Sequence, residues 1–222
     1  MHLRVISLFE ELTEAELAPI EALCQVRSFD RQAEIIGEHE STTDVFFILA
    51  GTVRVISFTD AGREVIFSDV AAGGVFGEFS AIDKLPRSTS VVALTDCKLA
   101  RLPAARFFDV LKRHSDVSVH LVELLVSKIR SMSERVFELS ALAVRERVRR
   151  ELLRLAATKG KHDSAGVTIS PAPTHYEIAA RIGSHREAVT REFNRLELEK
   201  IVEVHRREIR ITDLRKLQVA GE

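Results

Sequence analysis

THYEIAARIGSHREAVTREFNRLELEKIVEVHRREIRIT, residues 174–212, changes its hydrophobic period twice. Thr174 followed three residues later by Glu177 is a capping-box signal, and Ile178, Ala179 and Ile182 form the inward face of the short helix it opens. Gly183 stops that helix. Ser184 with Glu187 announces a second one, which buries Val189, Phe193 and Leu196 and leaves Arg186, Glu187, Thr190, Arg191 and Asn194 open. VEVHRREIRIT then alternates like a small hairpin. Two short helices around a glycine turn, followed by a hairpin, read as a winged helix-turn-helix.

Upstream, residues 141–157 form an amphipathic, Arg-rich helix, and TKGKHDSAG, 158–166, reads as a loop. Within 113–139, Val122, Leu125, Ile129, Met132, Val136 and Leu139 recur at alternating spacings of three and four, an a/d seam that lies either on the chain's own barrel or, the preferred reading, against a second copy in a parallel homodimer. Leu121 and Leu124 widen the upper stripe for packing on the chain's own core. Lys128 and Ser133 flank the seam at polar, flanking or ligand-facing positions.

Before Pro103 the period is that of strands. VRSFD, EIIG, DVFFILAG, TVRVISFT, REVIFSDV, STSVVAL and CKLARL are short β-branched and aromatic runs punctuated by TDAG and AAGG. Closely spaced short strands with glycine turns predict an antiparallel barrel or jelly roll. Gly62 is placed at a hairpin tip. A helix over 13–24, boxed by Thr13 and Glu16, precedes the strands.

The chain has 222 residues, enough for two cores. Its net charge of −1 conceals an asymmetry. Residues 1–138 carry 15 basic and 21 acidic side chains, a balance of −6, and residues 139–222 carry 17 and 12, a balance of +5. Such halves point to different partners. Two cysteines, Cys24 and Cys97, make no cluster, and the histidines show no metal-binding spacing; His114 and His120 do not share a helical face. No metal, haem (for which His2 or His39 would be the ligand) or iron–sulfur cluster is expected. The absence of nucleophile-elbow and P-loop motifs argues against an enzyme. Without a long apolar segment, a cytoplasmic chain without membrane contact is expected.

VFGEFSAIDKLPRSTSVV, 75–92, sets Glu78 and Arg87 in an apolar run. Gly73, Gly74 and Gly77 leave backbone room, the amides near Phe79 and Ser80 open a helical turn, and Arg87 with Ser88 completes an anion site. A carboxylate beside such a site fits a ligand with both phosphate and hydroxyl. The other reading is a buried Glu–Arg pair that holds a loop.

FGE at 76–78, PRSTS at 86–90, the long helix and IGSHREAVTR at 182–191 together resemble the cyclic-AMP receptor protein and fumarate/nitrate regulator family of bacterial transcription factors, over essentially the whole chain. The resemblance implies an α+β architecture: a cyclic-nucleotide-binding antiparallel β-barrel (1–112), a long dimerisation helix (113–138) and a winged helix DNA-binding domain (139–222). It implies a homodimer on double-stranded DNA with palindromic half-sites, with RNA polymerase as a further partner. Glu78 resembles the acceptor of a ribose hydroxyl, and Arg87 and Ser88 resemble the phosphate contacts. Gly77, Phe79 and Thr89 line the same site, and Met132-Ser133 stands where the cyclic-AMP-responsive members have Thr-Ser. Cyclic AMP is the preferred effector, with cyclic GMP second. The alternatives are a degenerate or differently liganded sensor, or a nucleotide-binding module acting on a protein. His39 stands where relatives often have a turn glycine. For DNA, Arg186, Glu187 and Arg191 are placed to read base edges, with Thr190 between them. Thr174, His175, Ser184, Arg206 and Arg207 are phosphate-contact candidates.

Overall fold

The structure, a computed structural model, describes residues 3–163 and 166–218; His2 lies outside them. The chain forms two compact units, Met1–Arg130 and Ser131–Glu222.

In the first unit, two 3₁₀ turns, Leu3–Val5 and Ser7–Phe9, lead to helix α1, Glu14–Leu23. The Thr13 cap forms as the sequence predicts: the Glu16 carboxylate accepts from the Thr13 amide at 2.9 Å and from its hydroxyl at 2.6 Å. Eight strands follow: β1 Gln25–Phe29, β2 Glu34–Ile36, β3 Val45–Ala50, β4 Thr52–Phe58, β5 Glu64–Ala71, β6 Val75–Phe76, β7 Ser90–Ala93 and β8 Cys97–Leu102, with helix α2, Glu78–Asp83, between β6 and β7. They make two antiparallel sheets ordered β1-β8-β3-β6 and β2-β7-β4-β5, the jelly-roll sandwich that short strands at this spacing specify. Gly62, with φ +72°, sits in the β4–β5 hairpin turn. One core gathers Phe47 against Phe9 and Phe107 at ring distances of 4.9 and 6.4 Å, and the other stacks Phe46 on Phe76 at 5.1 Å.

Helix α3, Ala104–Arg113, ends at His114, and α4, Ser115–Ala141, starts afresh, so the long helix is 27 residues, about 40 Å, and begins later than its periodicity implies. It belongs to the first unit up to Arg130 and to the second beyond it. Val117 and Leu121 are buried in the first unit's core, with Leu124 and Leu125 packed against it. Of the seam, Leu125 is therefore drawn inward, while Val122, Ile129, Met132, Val136 and Leu139 are exposed.

The second unit continues with α5 Val144–Lys159, β9 Gly160–Asp163, β10 Gly166–Ile169, α6 His175–Ile182, α7 Arg186–Leu198, β11 Val202–His205, β12 Glu208–Ile211 and α8 Leu214–Gln218. Its sheet is ordered β11-β12-β10-β9. Of the stretch read as a loop, 158–166, residues 164 and 165 lie outside the described ones, and the rest is instead the end of a helix and a strand pair: Ile169 lies opposite Gly160, and Arg210 holds Asp163 at 3.1 Å. Polar, exposed side chains on an edge strand hid this pairing from a hydrophobic pattern. Val148, Leu152, Ile178, Ile182, Val189, Phe193 and Leu196 close the core.

Phe193 is 1 % exposed at the centre of that core. Phe193→Ala should cost about 3–5 kcal/mol in chemical denaturation of the second unit, with the barrel's transition unmoved.

Candidate functional site

Three sets of side chains carry chemistry, two in the first unit and one in the second. In the first, Gly77 stands before α2 with φ +82°, where a Cβ would lie 2.7 Å from the Asp44 carbonyl oxygen and 2.9 Å from Arg87 Nη1. The absence of a side chain lets the Arg87 guanidinium lie flat against the backbone. Arg87 is 3 % exposed, and each of its nitrogens is engaged: Nε donates to Thr42 Oγ1 at 3.0 Å, Nη1 to the Gly77 carbonyl at 2.9 Å and Nη2 to the Asp44 carbonyl at 2.8 Å. Its own amide donates to the Glu40 carbonyl, and its carbonyl accepts from the His39 amide. His39 holds this turn with φ +69°, the left-handed conformation that glycine adopts more cheaply. Burial pushes the guanidinium pKa down, and the neighbouring Asp44, Glu40 and Glu78 carboxylates oppose that shift.

Glu78 is 2 % exposed and pairs with Lys128 of α4 at 2.5 Å; the same ammonium lies 5.4 Å over the Phe79 ring. Glu78 and Arg87 thus do not pair with each other; each has its own protein partners. Asp44 binds Arg101 at 2.6 Å. Three carboxylates, Glu40, Glu78 and Asp44, stand against three cations, Arg87, Lys128 and Arg101. Charge in the site is balanced by the protein's own groups, and an incoming phosphate adds a fourth negative group beside these carboxylates. Ser88 is exposed and Thr89 half-buried in the bend leading to β7. Met132 and Ser133 are exposed on the part of α4 that belongs to the second unit.

The first unit also holds a cluster the sequence reading did not find. Glu10, Glu11 and His120 bring one ligand atom each within 4.8 Å of one another, and His120 Nε2 is 3.8 Å from Glu10 Oε1. A mixed set of carboxylates and imidazole is chemistry that holds a divalent metal. His120 lies far in sequence from the adjacent Glu10 and Glu11, so no spacing motif marks the set.

In the second unit, the Thr174 hydroxyl caps α6, accepting from the Glu177 amide at 3.2 Å. Gly183 ends α6 in the left-handed region, and the Ser184 amide donates back to the Ala179 carbonyl. Ser184 is buried and does not cap α7; His185 is the residue at that position, with no side-chain cap bond. Along α7, Arg186, Glu187, Thr190, Arg191 and Asn194 fall within an arc of about 140° opposite Val189, Phe193 and Leu196. Arg186, Glu187, Arg191 and Asn194 are exposed and Thr190 is half-buried, its hydroxyl 2.9 Å from His175 Nδ1. Arg206 and Arg207 are exposed in the β11–β12 turn. The basic balance of this half is partly internal. Arg149 is buried on Glu192 and Glu199, and Arg154 grips Glu138 through two bonds of 2.8 and 2.9 Å.

A cyclic nucleotide-binding domain model matches residues 26–114, and a Crp-like helix-turn-helix domain model matches 146–220. The cAMP-activated global transcriptional regulator Vfr of Pseudomonas aeruginosa is 29% identical over 190 residues, covering 82% of this chain and 87% of that protein. Among solved structures, a CooA mutant from Carboxydothermus hydrogenoformans superposes with a TM-score of 0.80 at 19% identity, covering 90% of this chain and 88% of that one. CprK complexed with OCPA gives 0.74 at 17%, covering 91% and 92%. Among the described residues no helix is long and apolar enough to cross a membrane.

The expectation of a cyclic nucleotide as effector, with no metal, haem or iron–sulfur cluster, is corrected. The Glu10, Glu11 and His120 donors form a metal-capable cluster, and the same fold is solved in CprK with OCPA rather than a cyclic nucleotide.

Removing Lys128 leaves the Glu78 carboxylate buried without its cation. Lys128→Met and Glu78→Gln should each destabilise the barrel in urea unfolding, while the double variant recovers part of the loss. The coupling energy should lie at about 1–3 kcal/mol. Additive losses would show that the pair does not hold the site.

Proposed function

The chain belongs to the CRP/FNR family of bacterial transcription factors, and from that premise we propose that it is a dimeric DNA-binding regulator whose barrel answers to a different effector than a cyclic nucleotide, or to none. The family's members regulate transcription and do not catalyse reactions. The observation that carries the reading is the commitment of Arg87 to Thr42, Gly77 and Asp44, together with that of Glu78 to Lys128. Recognition of a cyclic phosphate and its ribose draws on a free guanidinium and a free carboxylate. Here three of the five Arg87 N–H groups and one oxygen of Glu78 are already bound by protein groups that a ligand would have to share or displace.

Dimerisation is supported by the row Val122, Ile129, Met132, Val136 and Leu139, between 47% and 63% exposed on one helix. Apolar side chains so placed at heptad spacing are stabilised by a matching row from a second copy. DNA reading is supported by the open arc of α7. Arg186 and Arg191 suit bidentate donation to guanine, and Glu187 suits acceptance from a cytosine amino group. Arg206 and Arg207 suit the phosphate backbone. A two-fold dimer would set its α7 helices about 34 Å apart, one turn of DNA, over a palindrome. RNA polymerase is the partner through which such a regulator acts.

Selection from a random duplex library should recover a two-fold symmetric site bound by a dimer. Affinity for that site should be unchanged by saturating cyclic AMP or cyclic GMP. A gain of more than tenfold with either nucleotide overturns the effector reading; recovery of no preferred sequence overturns the DNA reading. On the selected site, Glu187→Ala should relax preference at one position per half-site by about 1–3 kcal/mol, leaving binding to other duplexes unchanged.

A further inference from the structure

His175 occupies the first turn of α6, and its Nδ1 lies 2.9 Å from the Thr190 hydroxyl of α7. That hydroxyl also stands 3.0 Å from the Arg186 carbonyl oxygen, one turn back on its own helix. A threonine hydroxyl has one proton to give. Both contacts are satisfied together only if Thr190 donates to the Arg186 carbonyl and accepts from Nδ1–H of the ring. The neutral imidazole is thereby held as the Nδ1–H tautomer, with a bare lone pair at Nε2. The imidazolium keeps the same bond to Thr190 and differs only at Nε2, which gains a proton and shares a positive charge. Packing against Phe193, with ring centroids 4.5 Å apart, fixes the ring plane in either state.

Phosphates flank a helix seated in the major groove, and the first helix of a helix-turn-helix crosses the backbone. We propose that His175 is a protonation-gated contact for the DNA backbone: the imidazolium donates Nε2–H to a phosphate oxygen, whereas the neutral ring meets that oxygen with a lone pair. The inference rests on the DNA-binding reading above and adds to it a dependence on pH.

The charged groups around the ring fix the direction. Burial and the Arg186 guanidinium hold the His175 pKa below the usual histidine range, with Glu197 of α7 pulling the other way. Glu177, the carboxylate on α6 itself, accepts from the Thr174 amide and hydroxyl. In the free chain the ring is therefore neutral at pH 7, and a phosphate beside it raises its pKa in the complex. Binding then takes up a proton between the two pKa values. Affinity is highest below the free-state pKa, falls by up to about tenfold per pH unit as pH rises between them, and is level above the bound-state pKa.

A phosphate contact is blind to sequence, so a labelled duplex of arbitrary sequence serves as the probe. Its affinity for the full-length chain would be measured by fluorescence anisotropy from about pH 5 to about pH 8 at one ionic strength. The wild type should lose affinity across this range by roughly threefold or more beyond any loss in His175→Gln. Identical pH profiles for the two chains overturn the proposal. Should the variant fold poorly, the ring resonances of wild-type His175, followed by NMR, give the second reading. A pKa that rises on adding duplex supports the gate, and one that stays or falls overturns it. Failure of the wild type to bind duplex at any pH would remove the DNA-binding reading as well, an outcome distinct from binding that ignores pH.

Discussion

A buried guanidinium must find acceptors for its donors, and Arg87 imposes that requirement on the barrel around it. Taking such an ion out of water costs several kcal/mol unless hydrogen bonds replace the lost hydration. Thr42, Gly77 and Asp44 supply three of them from two loops, so Arg87 ties the chain before β3 to the start of α2. The positive φ of Gly77 follows from that placement, because its carbonyl must come within hydrogen-bond reach of a planar side chain, while His39, also at positive φ, donates its amide to the Arg87 backbone carbonyl. The Glu78–Lys128 pair adds α4 to the same cluster. The groups that would recognise a nucleotide are therefore engaged in holding the first unit's loops and long helix in register.

Charge is used differently in the second unit. Much of its excess of arginine is spent inside it, where Arg149 and Arg154 bridge helices through buried carboxylates. What remains open is the arc of α7 and the hairpin turn. His175, Thr190 and Phe193 then lock α6 to α7 at the angle the helix-turn-helix needs. Thr190 belongs to this lock: its hydroxyl links its own helix to the neighbouring one, which leaves Arg186, Glu187 and Arg191 as the outward set.

The barrel strands were legible because β-branched and aromatic runs separated by glycine turns have few other solutions. The Thr13 and Thr174 caps were legible because a three-residue spacing fixes both partners. Strand β6 has only two residues, too few to show a period, and the polar β9 offers no apolar face to detect. Leu125 fits the seam by spacing, yet α4 turns it toward the first unit's core, a choice settled by packing. In the site, the chemistry of Glu78 and Arg87 was visible and their partners were not. Arg87 bonds mainly to backbone carbonyls, which every residue carries, and Lys128 reaches Glu78 across 50 residues of sequence. The Glu10, Glu11 and His120 cluster was invisible for the same reason.

The central claim is that the Arg87 guanidinium is committed to protein acceptors. The most direct measurement follows the Arg87 Nε–H signal in NMR spectra of the labelled chain, assigned with Arg87→Lys, as cyclic AMP or cyclic GMP is added. The account predicts a slowly exchanging Nε–H whose position does not move with either nucleotide. A rapidly exchanging signal, or one that shifts saturably as nucleotide is added, would contradict it.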